Sequence, residues 1–168
     1  MILFCISHTF HYELENLLRL FYPLEKITVK KEYDKEPGDD DYLFTSLENN
    51  AQGARLCARL SLGGEVCENS AELPFESADV YERELAKLAF GLLTEKCGFV
   101  PKWGILTGVR PSKLMMSLIG SLGEYGAFEY FTKELLVSPE KAILAKTVAE
   151  AEKRITDMSK RNSCSLYI

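Results

Sequence analysis

The apolar positions of this chain change their period several times, and each change marks an element. Ile2-Leu3-Phe4-Cys5-Ile6 is a short uninterrupted run of β-branched, aromatic and other apolar side chains, as in a buried strand. Phe10, Leu14, Leu17, Leu18 and Phe21 then fall on one helical stripe, with Glu13, Glu15 and Asn16 off it and Pro23 closing it. The hydroxyls of Ser7 to Thr9 are placed to cap that helix. Alternation returns at Ile27 and Val29, and a meander follows: Tyr42 to Glu48, Ala54 to Leu62 and Glu65 to Ala71, with a Gly63-Gly64 turn before the last strand. In the middle strand Ala54, Leu56, Ala58, Leu60 and Leu62 share one face and Arg55, Cys57, Arg59 and Ser61 the other. Cross-strand pairing with Glu65 or Glu68 is the expected fate of the two arginines.

After Leu73-Pro74 the pattern becomes helical. Ser77 or Asp79 caps a helix whose inward face is Leu85, Leu88, Ala89, Leu92 and Leu93, and Gly98 stops it. Trp103, Ile105 and Leu106 read as a short extended run broken by Thr107 and Gly108, and Pro111 then opens a helix continued by Leu114, Met115, Leu118 and Ile119. Tyr125 to Leu136 predicts another helix with Phe128, Phe131 and Leu135 inward. Ser138-Pro139 starts the last one, where Leu144, Val148, Ala151, Ile155 and Met158 form a seam narrow enough to lie along another helix or cap a barrel. A polar connector at 160–163 leads into Ser165 to Ile168, the start of a strand. The expected fold is α+β: a small, mainly antiparallel β-α-β-β-β layer at 1–76, a helical segment at 77–164, and at 165–168 the beginning of something further.

Composition narrows the function classes. With 46% hydrophobic and 27% charged residues, the 168-residue chain holds enough for one core or two small lobes. The net charge of -5 opposes a surface built for a polyanion, so nucleic acid is not an expected partner, and an α/β RNA-binding module conflicts with it. Lys26, Lys30 and Lys31 are interleaved with Glu25, Glu32, Asp34 and Glu36 and suit a solvated strand edge. The opening apolar run has no basic segment ahead of it and is too short for a signal or a membrane span, which predicts a cytoplasmic protein with no membrane partner. Cys5, Cys57, Cys67, Cys97 and Cys164 show no cluster spacing and read as ordinary thiols. His8 and His11 lack a third ligand, and the adjacent Asp39, Asp40 and Asp41 lack the alternation of a calcium loop, so no metal site is expected.

One stretch concentrates candidate chemistry. Lys102 to Leu114 carries the sole tryptophan, two glycines, a proline and three cations. Arg110 precedes Pro111 at a helix N-terminus, whose free amides and partial positive charge, with Lys113, suit a carboxylate or phosphate. Thr107, Gly108, Arg110 and Lys113 are therefore the candidate binding residues, and no catalytic group is expected. The plain alternative is a turn whose arginine pairs with a neighbouring element.

The phrase Leu106 to Lys113, LTGVRPSK, followed in order by SPEKA at Ser138 to Ala142 and SLYI at Ser165 to Ile168, resembles the N-terminal part of the HemZ-type radical SAM family. These are oxygen-independent coproporphyrinogen III oxidases, or coproporphyrinogen dehydrogenases. The resemblance covers most of the chain after about Asp79 and is looser before it. It implies a parent enzyme that oxidatively decarboxylates two propionates of coproporphyrinogen III, giving protoporphyrinogen IX in haem biosynthesis. It implies as well a C-x-x-x-C-x-x-C motif, just after a strand such as SLYI, that holds a 4Fe–4S cluster open to S-adenosylmethionine. No such motif stands in this sequence. The chain is thus expected to be a cofactor-free, non-catalytic N-terminal piece whose first partner is its own C-terminal radical SAM barrel. Arg110 and Lys113 would help orient a substrate carboxylate. The alternative is an accessory module that binds a tetrapyrrole or a protein partner without doing chemistry, and the last helix's seam would let the piece self-associate.

Overall fold

The computed structural model describes residues 1–33 and 40–158. The expected connector at 160–163, the strand at Ser165 to Ile168, Cys164, and Asp34, Glu36 and Asp39 lie outside these residues. The chain forms two compact units, 1–108 and 109–168.

The first unit is a five-stranded sheet with two helices packed against it. Its elements are β1 (Ile2–Ile6), α1 (His11–Phe21), β2 (Thr28–Lys30), β3 (Tyr42–Asn50), β4 (Gly53–Leu62), β5 (Glu65–Pro74) and α2 (Ala78–Cys97). The strands lie in the order β2-β1-β3-β4-β5. The α+β class holds, with one strand more than the β-α-β-β-β shorthand counts. The sheet is mixed: β1 runs parallel to both β2 and β3, and only the β3-β4-β5 meander is antiparallel. A parallel neighbour requires a crossover, and α1 supplies it between β1 and β2.

Alternation on the central strands decides which face meets the helices. Leu3, Leu43 and Leu60 stand in one row across β1, β3 and β4, Cys5, Thr45 and Ala58 in the next, and all six are buried. They join Leu14, Leu17 and Leu18 of α1 and Leu85, Ala89, Leu92 and Leu93 of α2 in one core. Burial pushes the Cys5 thiol up to about 11, so it stays protonated and inert. Because α2 packs on β4 and α1, it belongs with the sheet, and the division expected at residue 76 is not the one that packing draws. Tyr81 fastens the join: its hydroxyl accepts the Glu76 amide at 2.9 Å and donates to the Pro74 carbonyl at 3.0 Å. Gly98 ends α2 in the left-handed region at φ 63°, as expected of a helix stop. Gly63 and Gly64, at φ 57° and 83°, form the β4-β5 turn that their sequence announced. Asp41 Oδ1 accepts the Gly63 amide at 2.7 Å, which gives this aspartate a structural task.

The entry to α1 corrects one expectation. The residue preceding the helix is Phe10, and no serine or threonine hydroxyl caps it. His8 does related work: its Nδ1 accepts the Phe10 amide at 3.3 Å, its Nε2 lies 3.1 Å from Thr45 Oγ1, and that hydroxyl donates to the Phe4 carbonyl at 2.7 Å. An Nδ1 that accepts cannot also carry a proton, so the relay needs neutral imidazole. Burial holds the His8 pKa down near its role, lowered from 6.5 to about 4. The sign follows: the folded state binds fewer protons than the unfolded one, so this contribution is fully present above pH 6.5 and is lost as pH falls towards about 4. Discounted for the ring's partial exposure, the loss is roughly 1–2 kcal/mol. Urea unfolding of the wild type and His8→Asn at pH 7 and pH 5 should show a drop in the wild type that the variant lacks. An equal drop in both would remove His8 from the account.

The second unit is helical. It contains α3 (Pro111–Glu129), a π-helical turn at Tyr130–Glu134, and α4 (Pro139–Met158). Gly123, at φ 74° and ψ 173°, breaks α3, and so the helix expected from Tyr125 is its second arm. Leu136 takes φ 56° after the π-helical turn, while the Val137 amide returns to the Phe131 carbonyl at 2.9 Å. The core contains Met115, Ala127, Phe131, Val137, Ala142, Ala145 and Ala149. Within this unit α4 does not use the seam expected to meet another helix or a barrel. The helix α4 packs through its small residues Ala142, Ala145 and Ala149, whereas the expected seam of Leu144, Val148 and Ile155 is 44%, 41% and 70% exposed. A stripe of alanines lets two helices approach closely, and it carries too little hydrophobicity to stand out in a sequence. No helix among the described residues is long and apolar enough to cross a membrane.

Candidate functional site

Residues 101–106 are not the extended run that Trp103, Ile105 and Leu106 suggested. Two turns follow one another, closed by the Gly104 amide on the Pro101 carbonyl at 3.0 Å and the Leu106 amide on the Trp103 carbonyl at 3.1 Å. Gly104, at φ 57°, is what allows the pair. Thr107 and Gly108 end the first unit, while Arg110 and Lys113 open the second. Arg110 precedes α3 with φ -85° and ψ 107°, and Pro111 sits in its first turn, as its missing amide hydrogen favours.

No side chain of the residue preceding α3 caps it. The anion comes from α4 instead. Arg110 Nη2 donates to Glu152 Oε1 at 3.1 Å, and Ser112, itself buried, also bonds this carboxylate. The Ser112 hydrogen bond first, then the Arg110 bond and the charges of Arg110 and Lys113, hold the Glu152 carboxyl below the usual range. An ionised carboxylate beside a helix N-terminus and a guanidinium is in the place the helix dipole favours. The plain reading of Arg110, an arginine paired with a neighbouring element, thus describes its present partner.

Around this pair the second unit has a groove of about 650 Å³, lined among others by Arg110, Lys113, Met116, Ala149, Lys153 and Ile155. Of the four sequence candidates the lining includes Arg110 and Lys113. Glu152, Ser112 and Lys153 were not singled out by the sequence, since a charged helix face reads as solvated until its partner helix is placed.

The open face of the sheet holds a smaller recess of about 220 Å³ at Phe44, Ser46, Arg55, Cys57, Arg59 and Glu68. Arg59 Nε meets Glu68 Oε2 at 2.7 Å and its guanidinium lies 5.5 Å from the Phe44 ring centroid. The expected cross-strand partner is therefore Glu68, while Glu65 pairs with Lys96 at 2.7 Å. Among the described residues no cluster of three or more His, Cys, Asp or Glu is arranged to hold a metal.

No family model matches the chain, and no solved structure matches it. A curated protein of Bacillus subtilis (strain 168), oxygen-independent coproporphyrinogen-III oxidase-like protein HemZ, is 25% identical over 169 residues. The chain resembles HemZ. The match takes in 94% of this chain and 32% of HemZ, so the chain spans about a third of that protein's length, consistent with an N-terminal region of HemZ. The resemblance carried by LTGVRPSK therefore stands. It also reaches further than the motifs did, because 94% of the chain must include most of the sheet unit as well as the helices.

Proposed function

We propose that the chain is the cytoplasmic, non-catalytic N-terminal domain of an oxygen-independent coproporphyrinogen III oxidase-like enzyme. The observation that carries this reading is the similarity to HemZ along nearly all of this chain and about a third of HemZ. In this reading the iron–sulfur cluster, S-adenosylmethionine and the radical chemistry belong to the remainder of the enzyme, and this domain helps to orient substrate. Arg110 and Lys113 receive a substrate carboxylate. Arg110 is exposed and held by one carboxylate already, so its role is an exchange of Glu152 for the substrate's carboxylate, a like-for-like replacement of charge-assisted hydrogen bonds.

The exchange has a signature that structural pairing lacks. In the whole enzyme Arg110→Ala should raise KM about tenfold with kcat within about twofold, the pattern of lost uniform binding. Glu152→Gln, which weakens the competing partner, should lower KM. The Arg110–Glu152 pair is exposed on both sides, so neither change should cost much stability. Unchanged KM in both variants would return the loop to a purely structural role.

A further inference from the structure

The groove of the second unit offers more than the Arg110 pair uses. Three cations line it, Arg110, Lys113 and Lys153, against two carboxylates, Glu152 and Asp157, a local balance of one positive charge in a chain whose net charge is -5. Glu152 is engaged by Ser112 and Arg110. Lys113 on α3 and Lys153 on α4 are both exposed, and although the charge of Lys113 acts on Glu152, that carboxylate is already held by Arg110. Met116 and Ile155 supply apolar surface in the same lining, and Ile155 is 70% exposed. A volume of about 650 Å³ is far more than a bare inorganic anion fills and lies within the usual range of small-molecule sites. An unbranched, adaptable methionine in the lining suits a ligand of variable shape.

We infer that this groove binds a small amphipathic anion, its acidic head between Lys113 and Lys153 and its apolar body against Met116 and Ile155. Charge and apolarity act together here. A purely polar anion would leave the apolar lining in water, and an apolar cation would meet two lysines. The inference deepens the reading of the Arg110 loop and rests on it for the side from which an anion is received. It separates from that reading in experiment, because binding is measured on this chain alone and the exchange at Arg110 is measured as kinetics of the whole enzyme.

The probe is decanoate, a ten-carbon chain with one carboxylate, titrated into the isotopically labelled chain while the methyl resonances of Met116 and Ile155 are followed. Both should shift saturably, with half-saturation below about 1 mM, an affinity reasonable for a ligand of this size. Decylamine at equal concentration should leave them in place. Lys153→Glu should weaken decanoate at least tenfold and Lys153→Gln less, while the methyl of buried Met115 keeps its position and so reports an intact fold. The inference is overturned if decanoate gives no saturable shift, if decylamine acts equally, or if Lys153→Glu binds as the wild type does. Saturable decanoate binding alongside unchanged KM in Arg110→Ala would support the groove and sink the substrate-orienting role, and the reverse pair of results would do the opposite.

Discussion

Gly53→Ala should destabilise the first unit by about 3 kcal/mol, more than any other single methyl group added to a glycine of the sheet. A Cβ at this position would stand 1.9 Å from the Leu73 carbonyl oxygen and 2.6 Å and 2.7 Å from the backbone of Pro74. These are main-chain atoms, so no rotamer change relieves the clash. Gly53 opens β4 and is paired on both sides, with Asn50 in β3 and Pro74 in β5. The strand β5 cannot simply lift away there, because Tyr81 ties the Pro74 carbonyl to the start of α2. Gly63→Ala is the control: φ 57° strains an alanine, but its Cβ meets nothing within 4 Å, and the cost should stay near about 1 kcal/mol. Denaturant midpoints at constant m give both numbers. If Gly53→Ala proved no worse than Gly63→Ala, the close approach of β5 to Gly53 would be wrong.

What the sequence makes legible follows from how far apart the deciding partners lie. The two faces of β4, the Gly63-Gly64 turn, the stripe of α1 and the stop at Gly98 all depend on period and local backbone chemistry, and each stands in the structure. The parallel placement of β1 between β2 and β3 does not, because pairing across an intervening helix leaves no local trace. The run at Trp103 to Leu106 failed for another reason. Three apolar residues in four positions fit a strand or a pair of turns equally, and Gly104 decided for the turns.

The candidate site shows the same division. Arg110 and Lys113 were visible because Pro111 announces a helix start, a local signal. Glu152 and Lys153 sit some forty residues on and join them only through the packing of α3 on α4. That packing runs on alanines and not on the strongest apolar stripe of α4. Leu144, Val148 and Ile155 drew attention to a face that the unit leaves in water, while Ala142, Ala145 and Ala149 bring Glu152 to the N-terminus of α3. The functional inference thus depends on a contact made by the least conspicuous side chains in the helix.

For that reason the second unit should be the weaker of the two, and Phe131→Ala its most damaging substitution. Phe131 is the largest fully buried side chain among the described residues, and the other buried apolar residues of its unit are mostly small, Ala127, Ala142, Ala145 and Ala149, beside Met115, Leu135 and Val137. Alanines cannot collapse into the space a phenyl ring vacates, so most of the cavity cost remains and the loss should be about 3–5 kcal/mol. That is comparable with the whole stability expected of so small a unit. In hydrogen exchange the amides of α3 and α4 should then lose nearly all protection while those of β3 and β4 keep theirs. The Arg110–Glu152 contact would go with α4, and decanoate binding with it, although no groove residue has been altered. Retained protection in α3 and α4 would show that Phe131 is not the residue on which the unit is built, and the route from the alanine stripe to the groove would have to be abandoned.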